Sequence, residues 1–210
     1  MAYFIGFAGK AGSGKDAAAS AVMETLKHYS ADVLHLPFAK VLKEMAMEIW
    51  DYTYEEVYVT KPPHVRKNLQ RLGTEIMRSR DPGFWIRRVF EQGEAFGKDQ
   101  LRGKGTPFVF VTDVRFKNEA TFIKETGILI RIKRDTPTPE NALNEEAQKH
   151  ASETEMDSMP DEDFDLVIEN NYPSVEAMQS DVTIKVIGLL LRKVKEKYGQ
   201  PLNERAIQRG

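Results

Sequence analysis

The chain has 210 residues, 41% of them hydrophobic and 30% charged, with a formal net charge of −2 and no cysteine. That length admits one sizeable core and at most a small appended lobe; the near-neutral balance gives no ground for wholesale nucleic-acid binding, and the lack of cysteine excludes disulfides and Cys-based zinc sites. No run reaches the ~20 apolar residues of a membrane span, and the N-terminus lacks the basic start of a secretory signal, so a single-domain cytoplasmic protein with no membrane partner is expected.

The apolar run Tyr3 to Ala8 leads into GKAGSGKD at 9–16, which reads as strand, glycine-rich loop and helix. The pattern G-x-x-x-x-G-K-[ST] is met at Gly9, Gly14 and Lys15 and broken at Asp16. Gly9, Gly12 and Gly14 allow a loop that aims backbone N–H groups at one anion. Lys15 adds a mobile charge for the outer phosphates, and the helix start adds its positive end. A nucleoside triphosphate is therefore the expected ligand. Asp16 stands where a Ser or Thr hydroxyl usually meets Mg²⁺; as a hard oxygen ligand it either holds the metal through water or only faces the helix N-terminus.

Further strands are expected at Val33 to Leu36, Phe108 to Val111, Ile128 to Ile132 and Phe164 to Ile168, with helices between them and a long helix over about Val175 to Tyr198. This alternation predicts an α/β fold, a five-stranded parallel sheet buried on both faces. About 38–105 forms a helical insertion, in which Val65, Leu69, Leu72 and Ile76 line one face and Asp81-Pro82 reads as a cap and first helical residue. About 135–163 is rich in Pro, Glu and Asp, can bury little, and is expected to be a mobile lid.

Asp113, at the carboxyl end of the third strand, is placed to hold Mg²⁺ through water, or else to cap the helix around Asn118-Glu119. Arg115 emerges at the same edge, as a phosphate ligand or as a surface ion pair with Glu119. The insertion concentrates cations, among them Lys61, Arg66, Arg71 and Arg78. Arg71, Glu75 and Arg78 fall at helical spacing on one face, either a solvated surface or a site for a second anionic substrate.

The segments GKAGSGKD at 9–16, LPFAKVLKEMA at 36–46, LQRLGTEIMR at 69–78 with Trp85, TDVRFKNEA at 112–120 and HASE at 150–153 together resemble the deoxynucleoside monophosphate kinases of tailed bacteriophages, within the P-loop nucleoside monophosphate kinases. The resemblance implies transfer of the γ-phosphoryl group of ATP to a deoxynucleoside monophosphate, with Mg²⁺, in the host cytoplasm if phage-encoded. It implies that Gly9, Ala11, Gly12, Ser13, Gly14, Lys15, Asp16 and Arg134 serve ATP, with Asp16 and Asp113 linked to the metal. It assigns Phe38, Lys43, Gln70, Thr74, Glu75, Arg78, Trp85, Asp113, Arg115 and Glu119 to the acceptor, with the Trp85 indole offering a stacking face. Lys15, Asp16, Arg78 and Arg115 are the residues implied in catalysis. The alternatives are another small-molecule P-loop kinase, such as one acting on dephospho-coenzyme A, and a non-catalytic nucleotide-dependent switch. The oligomeric state stays open, a homodimer being one assembly the sequence allows.

Overall fold

The computed structural model describes residues 1–10, 12–100, 106–134 and 155–198. Its centre is β1 (Tyr3–Ala8), in which all six residues are buried. Side chains alternate across a strand, so Tyr3, Ile5 and Phe7 feed one core while Phe4 and Ala8 feed the other. A fully buried Ile or Phe contributes ~1.5–3 kcal/mol over an exposed one, so the central strand anchors whatever chain leaves its end.

β1 is flanked in parallel by β3 (Phe108–Val114) and β4 (Gly127–Lys133); β2 (Val33–His35) and β5 (Leu166–Glu169) form the edges, giving the order β2-β3-β1-β4-β5. On one face pack α1 (Lys15–His28) and α6 (Val175–Tyr198), through Ala18, Val22, Val182, Val186 and Leu190. On the other lie α2 (Phe38–Trp50), α4 (Phe84–Gln100) and α5 (Lys117–Thr126), through Val41, Val89, Ala120 and Ile123. The result is a five-stranded parallel sheet with helices on both faces, and the glycine loop lies between β1 and α1.

Between α2 and α4 the insertion is helical, but not uniformly α. A π-helical turn spans Glu55–Thr60, then α3 (Pro63–Gln70) runs directly into a second π-helical stretch, Arg71–Arg78. Bonds from i to i+5 widen the turn, so the expected shared face is not formed: Arg71 and Glu75 are exposed while Arg78 turns inward. Asp81 does not cap the helix: its Oδ1 accepts from the Gly83 N–H at 3.1 Å within a turn, Pro82 lies in that turn, and the helix begins only at Phe84.

β3 outlasts its apolar run because pairing with β1 resumes beyond a register shift, at Ala8 and Val114. Thr112 and Asp113 are thus strand residues. At the C-terminal end of 135–163 the chain buries little but is attached. Met156 is buried there, next to Phe164, and Arg131 donates to the carbonyls of Met156 and Met159, pairs with Asp161 at 2.8 Å and lies 3.9 Å from the Phe164 ring centre. An arginine from β4 supplies the attachment that the segment's own composition lacks. Residues 135–154, with the HASE segment, lie outside the described residues.

Candidate active site

At the end of β1 the chain turns through Gly9, Gly12 (φ 76°) and Gly14 (φ 92°), and the Ser13 N–H donates to the Lys10 carbonyl at 3.1 Å. Two of these glycines are required by close approach. A Cβ on Gly9 would sit 2.5 Å from the Ile132 carbonyl oxygen, and one on Gly14 2.5 Å from Asn170 Nδ2. Gly14 caps α1 without any side-chain bond, so the first-turn N–H groups are available to an anion. Lys15 is buried, and its Nζ lies 3.5 Å from the exposed carboxylate of Asp16. The Ser13 hydroxyl is buried without a hydrogen-bond partner among the described residues. Ala11 lies outside the described residues.

The loop forms one wall of a cleft of about 520 Å³, faced by Arg115, Arg131, Lys133 and Arg134. Asp157 pairs with Lys10 at 3.0 Å, and Asp161 is shared by Arg131 and Lys133. The bond from Lys133, followed by that from Arg131, holds the Asp161 carboxyl below the usual carboxylate range. The cleft keeps a cationic surplus suited to phosphates. Arg134 is exposed on the cleft wall.

Asp113 uses both oxygens to cap α2, accepting from Phe38 N–H at 2.8 Å and Ala39 N–H at 2.7 Å. The helix needs this, because its own cap position is Pro37, which provides no side-chain bond. The carboxylate therefore caps α2, whereas the sequence reading had α5 as the helix it would cap. Burial raises its pKa, opposed by those two N–H bonds and then by Arg115 and Lys15. A carboxylate oxygen has a second lone pair, which leaves Asp113 able to accept from a metal-bound water. Among the described residues no three His, Cys, Asp or Glu side chains gather as a metal cage. Mg²⁺ fits such a site because it keeps several waters and binds through one or two carboxylates plus phosphates.

On the insertion side, Arg78 Nη2 donates to Glu119 Oε1 at 2.6 Å, and its guanidinium lies 3.6 Å from the Phe116 ring centre. Arg78 Nε and Nη1 are buried and have no hydrogen-bond partner among the described residues. Glu119 is 1% exposed, and its Oε2 accepts from the N–H groups of Arg115 at 2.9 Å and Phe116 at 3.1 Å. Burial pushes its pKa up to about 7, against the opposing charge of Arg78 and the Arg115 N–H. The expected surface pair between Arg115 and Glu119 is replaced: Arg115 bonds through its backbone, and Arg78 takes the carboxylate. Expected to touch the nucleotide itself, Glu119 is instead enclosed and holds two arginine-bearing segments together.

One other expectation is corrected, and the remaining acceptor candidates are located. Trp85 is 3% exposed and its indole N–H donates to the Gly73 carbonyl at 3.0 Å, so it clamps the second π-helical stretch and offers no face to a base. The Phe38 ring is buried in the core, and only its backbone serves the site. Glu75 is exposed, as is Gln70, while Thr74 is half-buried. Lys43 is half-buried with Nζ 4.4 Å from the Tyr58 ring centre, and burial, then Lys61, lowers its pKa.

Asn170 was not singled out from sequence. It is 8% exposed, at the end of β5, and donates from Nδ2 to the Ser13 carbonyl at 2.8 Å. Its signal was its position: a polar residue leaving a strand at the same sheet edge as the glycine loop.

No family model matches the chain. A protein of Acanthamoeba polyphaga mimivirus, named "Putative deoxynucleotide monophosphate kinase", is 29% identical over 194 residues, covering 85% of this chain and 93% of that protein. Among solved structures, the Mycobacterium tuberculosis APS kinase CysC in complex with AMPPNP and APS aligns at a TM-score of 0.49 and 14% identity, over 90% of this chain and 97% of that one. Shikimate kinase from Aquifex aeolicus vf5 aligns at a TM-score of 0.42 and 14% identity, over 88% and 96%.

Proposed function

We propose that the chain transfers the γ-phosphoryl group of ATP to a deoxynucleoside 5′-monophosphate, giving the diphosphate and ADP. The observation that carries this reading is Arg78, a guanidinium fixed by Glu119 and Phe116 with two buried donors unused. A permanently charged guanidinium with donors still to be satisfied suits a phosphate oxygen. The name of the mimivirus relative supports the same substrate class.

The loop from Gly9 to Lys15 cradles the triphosphate, with the buried Ser13 hydroxyl turned to the same anion. Lys15 reaches the γ-group, and Arg78 and Arg115 hold the acceptor phosphate and the charge of the transition state. A phosphate oxygen of the acceptor attacks the γ-phosphorus in line, and the bond to the β-phosphate oxygen breaks. The acceptor is already anionic, so no catalytic base is required, and placement with cationic charge supplies the rate. Asp16 and Asp113 would hold Mg²⁺ through water, and the ion would supply positive charge to the phosphates. Lys43, Gln70 and Thr74 face the acceptor nucleoside, and Arg134 meets the adenine or a phosphate of ATP. Residues 155–163, which Arg131 anchors, flank the site on the cleft side.

The test is ADP formation from ATP and Mg²⁺ with each of four deoxynucleoside and four ribonucleoside monophosphates. Turnover well above background hydrolysis with at least one deoxynucleotide is expected. Background rates with all of them would refute the reading.

A further inference from the structure

The fifth strand ends at Glu169, and the next residue is turned back into the protein. The Asn170 N–H donates to the Lys133 carbonyl at 2.6 Å, which ties it to the end of β4. Its side chain, 8% exposed, donates from Nδ2 to the Ser13 carbonyl at 2.8 Å. Ser13 lines the cleft, whereas Asn170 does not; the amide approaches the loop from behind.

We propose that Asn170 is a positioning residue for the phosphate loop, fixing the Ser13–Gly14 peptide so that its N–H faces the bound anion. A trans peptide points its C=O and N–H in opposite directions, and the structure contains no cis bond among the described residues. Drawing the Ser13 carbonyl toward β5 therefore turns the Gly14 N–H toward the cleft. Without that bond, glycine on the C-terminal side of the peptide lets it rotate. Rotation would put a carbonyl oxygen against the triphosphate where a donor belongs.

The two residues are matched in size. Any Cβ on Gly14 would lie 2.5 Å from Asn170 Nδ2, so the amide reaches the carbonyl only because position 14 is glycine. The donor is also specific. An aspartate of the same shape would oppose an oxygen to the Ser13 oxygen and add negative charge behind the phosphates. This inference rests on the proposed role of the loop in binding ATP, and deepens it.

The experiment compares Asn170→Ala and Asn170→Asp with the parent chain, alongside Lys15→Ala, in ATP affinity and in KM for ATP and for the acceptor. Asn170→Ala should raise the ATP dissociation constant about tenfold, the loss expected for one well-placed hydrogen bond, with acceptor KM held within about twofold. Asn170→Asp should be weaker still. A folded Asn170→Ala with ATP affinity within about twofold of the parent, or with both substrates weakened alike, overturns the proposal. If Lys15→Ala is equally silent, the reading of the loop itself fails; if Lys15→Ala alone loses activity, only the role of Asn170 fails. Should neither Asn170 variant fold, NMR on the parent chain decides. The Asn170 side-chain amide protons should exchange slowly before and after ATP is added, while the Gly14 amide signal shifts. Exchange of the Asn170 amide at the solvent rate in the free protein would sink the idea.

Discussion

A carboxylate that is 1% exposed keeps its charge only where partners replace water, and Glu119 has three, in Arg78, Arg115 and Phe116. They do not fully compensate, since burial still raises its pKa from the ordinary 4.5 to about 7. Between those values the folded chain holds a proton that the unfolded chain has released. The stabilisation from this group is therefore fully present below about pH 4.5 and is lost as pH rises to about 7, beyond which both states are ionised. Calorimetry of the parent and Glu119→Gln should show the parent's relative Tm falling from pH 5 to pH 8. A difference that stays flat or grows with pH would mean that Glu119 is ionised throughout. The same pair yields a kinetic test. Arg78→Lys keeps the charge but loses the guanidinium that lies over Phe116 while bonding Glu119. Acceptor KM should rise about tenfold or more, with lowered kcat and nearly unchanged ATP affinity. Unaltered acceptor kinetics would move the second site toward Arg115.

Elements were legible where period and punctuation agree. The run Tyr3–Ala8 with its glycines marks strand, loop and helix, and Val175–Tyr198 forms as its apolar spacing predicts. They were less legible where the winding itself changes, because no residue pattern distinguishes a π-helical stretch at Arg71–Arg78 from an α-helix. Trp85 was misassigned for a related reason: an indole suits a buried clamp as well as a stacking platform, and only the Gly73 carbonyl decides. The stem at 155–163 was missed because its attachment comes from a distant strand. Arg131 there bonds two carbonyls and one carboxylate while lying over Phe164. That predicts protection of 155–163 from hydrogen exchange in the free protein, lost in Arg131→Ala with rates rising about tenfold or more while β1 and β3 stay protected. Equal exchange in both proteins would show that the stem holds without Arg131.

At the scale of the whole molecule, both proposed half-sites hang from the carboxyl edge of one sheet. The glycine loop leaves β1, Asp113 and Arg115 come from β3 and its end, and Asn170 follows β5. Sequence order placed these segments at one edge, since a parallel sheet brings the ends of its strands together. It could not show that the helical insertion is tied to that edge by two carboxylates, Asp113 to α2 and Glu119 to Arg78. Each of these ties joins residues 41 or more positions apart in the chain, beyond the reach of any local pattern. Because the ties are rigid, donor and acceptor sites should be preformed at a fixed separation. A bisubstrate analogue, adenosine linked to a deoxynucleoside through a polyphosphate, should then bind both at once. A ligand at about 100 times its Kd adds ~2.7 kcal/mol to stability, or roughly 5–10 °C in Tm for a chain of this size. The analogue should exceed ATP in Tm shift at equal concentration, because the second half binds at high effective concentration. Arg78→Lys should reduce the excess and leave the shift with ATP alone intact. Equal shifts for ATP and the analogue in the parent chain would mean that the two sites are not presented together.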